Sequence, residues 1–113
     1  MPFIHTKTNR PIAPDQEKRL AQALGEAIGL LNKSEKWLML QFEGDLRLYF
    51  AGDDQAPQAI VQVQLLGGAT AEQYQRLTEK ITQIIGETLA IAPDKVYVVY
   101  GETDYWGWNG SNF

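Results

Sequence analysis

Hydrophobic positions follow a helical period in two places. Leu20, Ala23, Leu24, Ala27, Ile28 and Leu31 fall at i, i+3, i+4, i+7, i+8 and i+11, which gathers them into one stripe along a helix. Pro14 suits its first turn, Asp15 and Glu17 complement the positive end of its dipole, and Gly29 or Asn32 supplies a stop. In the second place Thr70 and Gln73 form a capping box. Tyr74, Leu77, Ile81, Ile84, Ile85 and Leu89 make the buried face, and Pro93 forbids continuation, so this helix is predicted over residues 71–89. Residues rich in β-branched and aromatic side chains flank each helix: 3–8 and 37–42 around the first, 59–66 and 96–100 around the second. The pattern is βαβ twice. Phe3 to Trp37 and Ile60 to Val96 span 34 and 36 positions, a repeat of architecture without an obvious repeat of sequence. Residues 46–50 read as a short extra strand, 51–57 as a turn built on Gly52, Asp53, Asp54 and Pro57, and 106–108 as a further short strand.

The expected fold is α+β, with two helices on one face of a four-stranded mixed sheet formed by a tandem βαβ pseudo-repeat. The other face then needs cover, because the strands read as hydrophobic on both alternations, most clearly over residues 59–66. Self-association answers that need: subunits arranged in a ring, sheets inward, with residues 46–50 and 106–108 pairing across to neighbours.

Composition narrows the function classes. A chain of 113 residues with 44% hydrophobic and 21% charged residues is expected to form a single domain, 1–113, with a modest core. Fourteen acidic against ten basic residues give a net charge of −4 with no basic cluster, which argues against a nucleic-acid partner. No cysteine is present, so thiolate chemistry and Cys-based metal sites are excluded, and the single histidine, His5, builds no multi-His site. His5 has no carboxylate near it in sequence and reads as a satisfied core or surface histidine; Asp53 and Asp54 read as turn residues. The N-terminus lacks a basic segment followed by an apolar one, and no run approaches the roughly 18 apolar residues of a membrane span. A cytoplasmic protein without membrane partners is expected, and leaderless export is compatible with the same features.

The chemistry that stands out lies at the start. If Met1 is removed, Pro2 becomes a secondary amine on a rigid ring, at the head of the first strand. Burial and a neighbouring cation both disfavour an ammonium, so such an amine beside a lysine is a general base at neutral pH.

Four segments then carry a resemblance covering nearly the whole chain: Met1-Pro2-Phe3-Ile4, Asn32-Lys33-Ser34-Glu35-Lys36-Trp37, Ala92-Pro93-Asp94-Lys95-Val96-Tyr97, and residues 106–113 from Trp106 to Phe113. In their order and spacing they resemble the macrophage migration inhibitory factor family of the tautomerase superfamily. The resemblance implies a homotrimer with active sites at subunit interfaces and Pro2 as catalytic base. It implies that Lys33 binds a substrate carboxylate and supports charge, although Asn32 and Ser34 replace the glycine and proline that flank the family's lysine. By the same resemblance Leu66 offers a backbone N–H to substrate, Tyr97 enters from a neighbouring subunit, and Trp106 and Phe113 lie at the pocket mouth. Val99 stands where the animal proteins have an asparagine that helps line the pocket. Gln58 and Val61 occupy the positions of their Cys-x-x-Cys segment, so any thiol-disulfide activity of that segment is absent here.

Interconverting a 2-oxo acid such as phenylpyruvate and its enol needs a base of modest pKa and a cation for the carboxylate. Pro2 and Lys33 supply both, aromatic walls from Tyr97, Trp106, Trp108 and Phe50 suit a flat substrate, and no cofactor or metal is required. The leading expectation is a phenylpyruvate-type keto-enol tautomerase. Its rivals are a trimeric binding or signalling module with vestigial activity, and a ligand-sensing domain with no use for a free N-terminus. Each residue also has a plainer reading: Lys33 as a solvated charge, Tyr97, Trp37 and Phe50 as core, and Trp106, Trp108 and Phe113 as packing or trimer contacts.

Overall fold

A computed structural model describes all residues, 1–113. The chain runs β1 (Pro2–Thr8), α1 (Pro14–Ala27), β2 (Met39–Glu43), β3 (Ala59–Leu66), α2 (Ala71–Leu89), β4 (Val96–Thr103), and a hairpin of β5 (Gly107–Trp108) and β6 (Ser111–Asn112). The main sheet has the order β2-β1-β3-β4. β1 pairs β2 in parallel and β3 pairs β4 in parallel, as two βαβ units require, and the units join through the antiparallel pair β1–β3. Both helices cover one face, with α1 and α2 in mutual contact.

Local chemistry explains the element ends. Thr70 Oγ1 accepts from the Gln73 N–H and the Gln73 side chain returns the bond to the Thr70 N–H, so α2 starts where the capping box places it. α1 opens on Pro14, with Asp15 and Glu17 in its first turn. Its predicted stripe continues through a single 3-10 turn, Ile28–Leu31, and Asn32 rather than Gly29 ends it, in the left-handed region at φ 57°. Leu20, Leu24, Ile28, Leu77, Ile81 and Ile85 are fully buried against Ile4, Val61, Val63 and Leu65 of the sheet.

Several expectations are corrected. Residues 46–50 form no ladder inside the chain; Phe50 makes only an isolated bridge to Asp53 across the turn. Trp37 belongs to a 3-10 turn, Glu35–Trp37, capped by Ser34, so the strand begins two residues later. β4 extends beyond Tyr100 to Thr103, and the strand predicted at 106–108 is one arm of a hairpin. β3 is uniformly apolar on one face only. Ala59, Val61, Val63 and Leu65 face the helices, while the register aligns rows Tyr97–Ile60–Lys7–Glu43, Val99–Gln62–His5–Gln41 and Gly101–Gln64–Phe3–Met39 on the open face. That face is a mixture of polar and apolar residues rather than a second core. His5 does find a carboxylate there: its Nε2 lies 3.1 Å from Glu43 Oε1, a partner separated by 38 positions and brought in by the adjacent strand.

The helix-facing side of β1 holds one anomaly. Thr6 is fully buried and its hydroxyl has no hydrogen-bond partner. Thr6→Val keeps the shape and the strand preference while deleting the orphaned oxygen, so it should raise stability by about 1 kcal/mol, read as a higher urea midpoint at unchanged slope.

Candidate active site

Four residues meet at one end of the main sheet. Pro2 is buried and paired with Leu65, and beyond that pair the Leu66 N–H donates to the Met1 carbonyl at 3.2 Å. Lys33 Nζ, half-buried, donates to the Leu66 carbonyl at 3.4 Å. The left-handed turn at Asn32 redirects the chain out of α1 immediately before Lys33. The consequence shows at the amine of Met1, whose pKa is held below its ordinary value, first by burial and then by the Lys33 ammonium.

The loop after Leu66 is tied down. Gly67, at φ 75°, donates its N–H to the Thr103 carbonyl at 2.8 Å, a conformation that L side chains rarely adopt. The Glu102 carboxylate lies where a Cβ on Gly68 would project, and the Tyr74 hydroxyl donates to the same carboxylate. Burial, then the hydrogen bond to Glu102, pushes the Tyr74 phenol up to about 12, so it keeps its proton and holds the start of α2 to the end of β4.

Aromatic side chains cluster beside this end. Trp37 meets Trp108 edge-on at 5.0 Å between centroids and Phe113 at 6.5 Å, and Trp108 stacks with Phe113 at 6.3 Å. The Phe113 N–H donates to the Trp106 carbonyl, and Trp106 lines a cleft of about 350 Å³ with Gln64, Gly101, Glu102 and Thr103. The C-terminal hairpin therefore leaves β4 and reaches across to Trp37, which sits just ahead of the Met39–Phe3 pair. Trp37 is not core: it is 36% exposed and carries Lys36 Nζ 5.3 Å from its ring centroid. The signal for it in the sequence is a large aromatic directly after Ser-Glu-Lys, a polar loop four residues past Lys33.

Tyr97 and Val99 are not part of this group within one chain. Pro2 pairs with Leu65 whereas Tyr97 pairs with Ile60, which sets them about 17 Å apart along the strands and two strands, about 10 Å, across the sheet. Tyr97 is 59% exposed, packs on Phe50 at 4.9 Å, and shares a smaller cleft with Leu48, Tyr49, Phe50 and Ile60. Phe50 is half-buried in that contact rather than core, and Lys95 Nζ lies over its ring. Val99 lies exposed on the open face between these two ends. No three side chains of His, Asp or Glu gather into a metal-ligating group, and no helix is long and apolar enough to cross a membrane.

Comparison with known proteins agrees with this layout. The mouse macrophage migration inhibitory factor is 28% identical over 118 residues, covering all of this chain and 99% of the mouse protein. The crystal structure of Leishmania major MIF2 superposes with a TM-score of 0.94 at 30% identity, covering 100% of this chain and 97% of that one. A homologue from Prochlorococcus marinus gives 0.85 at 28% identity, with 98% of each chain covered. A family model described as macrophage migration inhibitory factor (MIF) matches residues 1–113, so the chain belongs to the macrophage migration inhibitory factor family.

Proposed function

We propose that this chain is a keto-enol tautomerase of phenylpyruvate-type aromatic 2-oxo acids, with Pro2 as general base after removal of Met1. The observation that carries the reading is the convergence of the strand-held N-terminus with Lys33 and the Leu66 backbone at one end of the sheet. The depressed Met1 amine supports it, since burial and the Lys33 ammonium act at this end of the chain and both disfavour a protonated prolyl nitrogen. In the keto-to-enol direction the Pro2 nitrogen takes a proton from the carbon next to the ketone. The electron pair moves into the new carbon–carbon double bond, and the carbonyl oxygen gains the negative charge and then a proton. Lys33 anchors the carboxylate and stabilises that charge; the reverse reaction returns the proton from prolinium to carbon. Trp106, Trp108 and Phe113, joined by Trp37, wall the site with flat apolar surface that excludes water.

Tyr97 and Val99 enter this scheme through assembly. With Tyr97 at the far end of its own sheet, a complete site takes it from a second subunit, and a homotrimer built edge to edge, with residues 46–50 offered to the neighbour, supplies that arrangement. A second reading, a trimeric binding or signalling module with vestigial activity, is favoured by one feature: Val99 brings no hydrogen-bonding group where the animal proteins have asparagine.

Three outcomes test the proposal. Pro2→Gly, with Met1 removal verified by mass, should lose 100-fold or more, on the order of a general base's contribution, in enol-keto conversion of phenylpyruvate; equal rates in the two proteins would sink the catalytic reading. Lys33→Ala should raise KM and also shift the acid limb of the kcat/KM profile to higher pH. The sign follows because an ammonium nearby disfavours a second positive charge, so without Lys33 a higher pH is needed to free the base. Finally, Pro2→Gly and Tyr97→Ala chains, each impaired alone, should recover part of the native rate when unfolded together and refolded as mixed oligomers. Recovery to no more than the sum of the separate activities would refute a shared site.

A further inference from the structure

The ladder that positions Pro2 has a second effect at its last rung. Register places Met1 opposite Leu66, and the Leu66 N–H spends its hydrogen bond on the carbonyl of Met1. That carbonyl belongs to the residue whose loss is required to expose the prolyl nitrogen. We infer that Met1 is a built-in occupant of the site: its carbonyl oxygen holds the main-chain donor that an anionic ligand oxygen would use, so that removing Met1 opens binding as well as catalysis.

Three observations support this. First, the carbonyl that accepts from the Leu66 N–H leaves with Met1, so the N–H loses its ladder partner, a state the backbone tolerates poorly away from water. Second, the peptide does not turn away to find another acceptor. Gly67 is fixed by its bond to Thr103, and the Glu102 carboxylate, held by Tyr74, lies against Gly68. Third, the ammonium of Lys33 is kept at the same residue by the Leu66 carbonyl, which belongs to the next peptide unit. An oriented N–H with a cation beside it selects an anionic acceptor, and charge-assisted bonds of this kind are about twice as strong as neutral ones. A neutral carbonyl such as that of Met1 is the weaker occupant.

The nature of the ligand rests on the tautomerase reading; the masking of the donor does not. Two forms of the chain, one with Met1 retained by chemical ligation and one without it, are labelled with 15N-leucine and compared by amide hydrogen exchange and by titration with cinnamate, an unreactive aromatic carboxylate. With Met1 present, the Leu66 amide should be protected and unmoved by cinnamate. Without Met1 its exchange should rise about fivefold or more, the equivalent of one hydrogen bond, and cinnamate should shift its resonance and restore protection. Equal exchange in the two forms, or an equal cinnamate shift in both, would overturn the inference. The Pro2→Gly chain lacking Met1 separates this result from the catalytic reading, since it replaces the rigid prolyl base by a flexible primary amine but frees the same donor and should respond to cinnamate like the native chain. Should Pro2→Gly remain fully active while the Leu66 response follows Met1, the tautomerase mechanism falls and the masking stands.

Discussion

The antiparallel pairing of β1 with β3 is the constraint on which the rest of this structure depends. It is the only junction between the two βαβ units in the sheet, and it decides which side chains of the central strands face the helices. Strand side chains alternate, so a slip of one residue would carry Ile4 and Val63 from the core to the open face and would part Met1 from Leu66. The register is held far from the site. Thr8 Oγ1 donates to the Gln58 carbonyl at 2.8 Å, and the Asn9 side chain both accepts from the Gln58 N–H and donates to the Ala56 carbonyl. Gln58 is itself buried and its side-chain amide is satisfied by the carbonyls of Asp53 and Ala56. A polar clasp where the turn meets β3 thereby fixes where the imino acid at the opposite end of β1 lands.

The two ends of the sheet have different physical characters. Around Pro2, burial, one ammonium and a closed set of main-chain hydrogen bonds act on the N-terminus. Tyr74 and Glu102 contribute only indirectly, by pinning the Gly67–Gly68 turn whose geometry aims Leu66. Around Tyr97, by contrast, exposed aromatic surface and Lys95 over the Phe50 ring make a face with little within its own chain to cover it. On the mixed open face His5 and Gln41 both bond to Glu43, beside exposed Met39 and Val99.

Much of this architecture was legible in the sequence because it is set by local rules. The periodic stripe of α2, its Thr70–Gln73 box and Pro93 were enough for both ends of that helix, and Ala59–Leu66 matched its strand because turn residues bound it on either side. Family likeness pointed to Pro2, Lys33 and Leu66, and these three are neighbours in space. Readings that failed did so for reasons of context. Trp37 looked like strand core because hydrophobicity does not reveal that a 3-10 turn precedes β2 and leaves the ring against Trp108 and Phe113 of the C-terminal hairpin. Residues 46–50 have strand composition, but a strand exists only where a partner edge is present, and none is offered within the chain.

What the sequence alone determined was the two helices, the four strands of the main sheet, the order of the two βαβ units and the chemical identity of the candidate base and cation, since period, capping and residue type are properties of short segments. Only the tertiary structure decided which face each strand buries, that His5 meets Glu43, that Tyr97 stands far from Pro2 in its own subunit, and that the Met1 carbonyl occupies the Leu66 N–H. Those facts follow from strand register and from the path of the chain between distant segments, which no local pattern encodes.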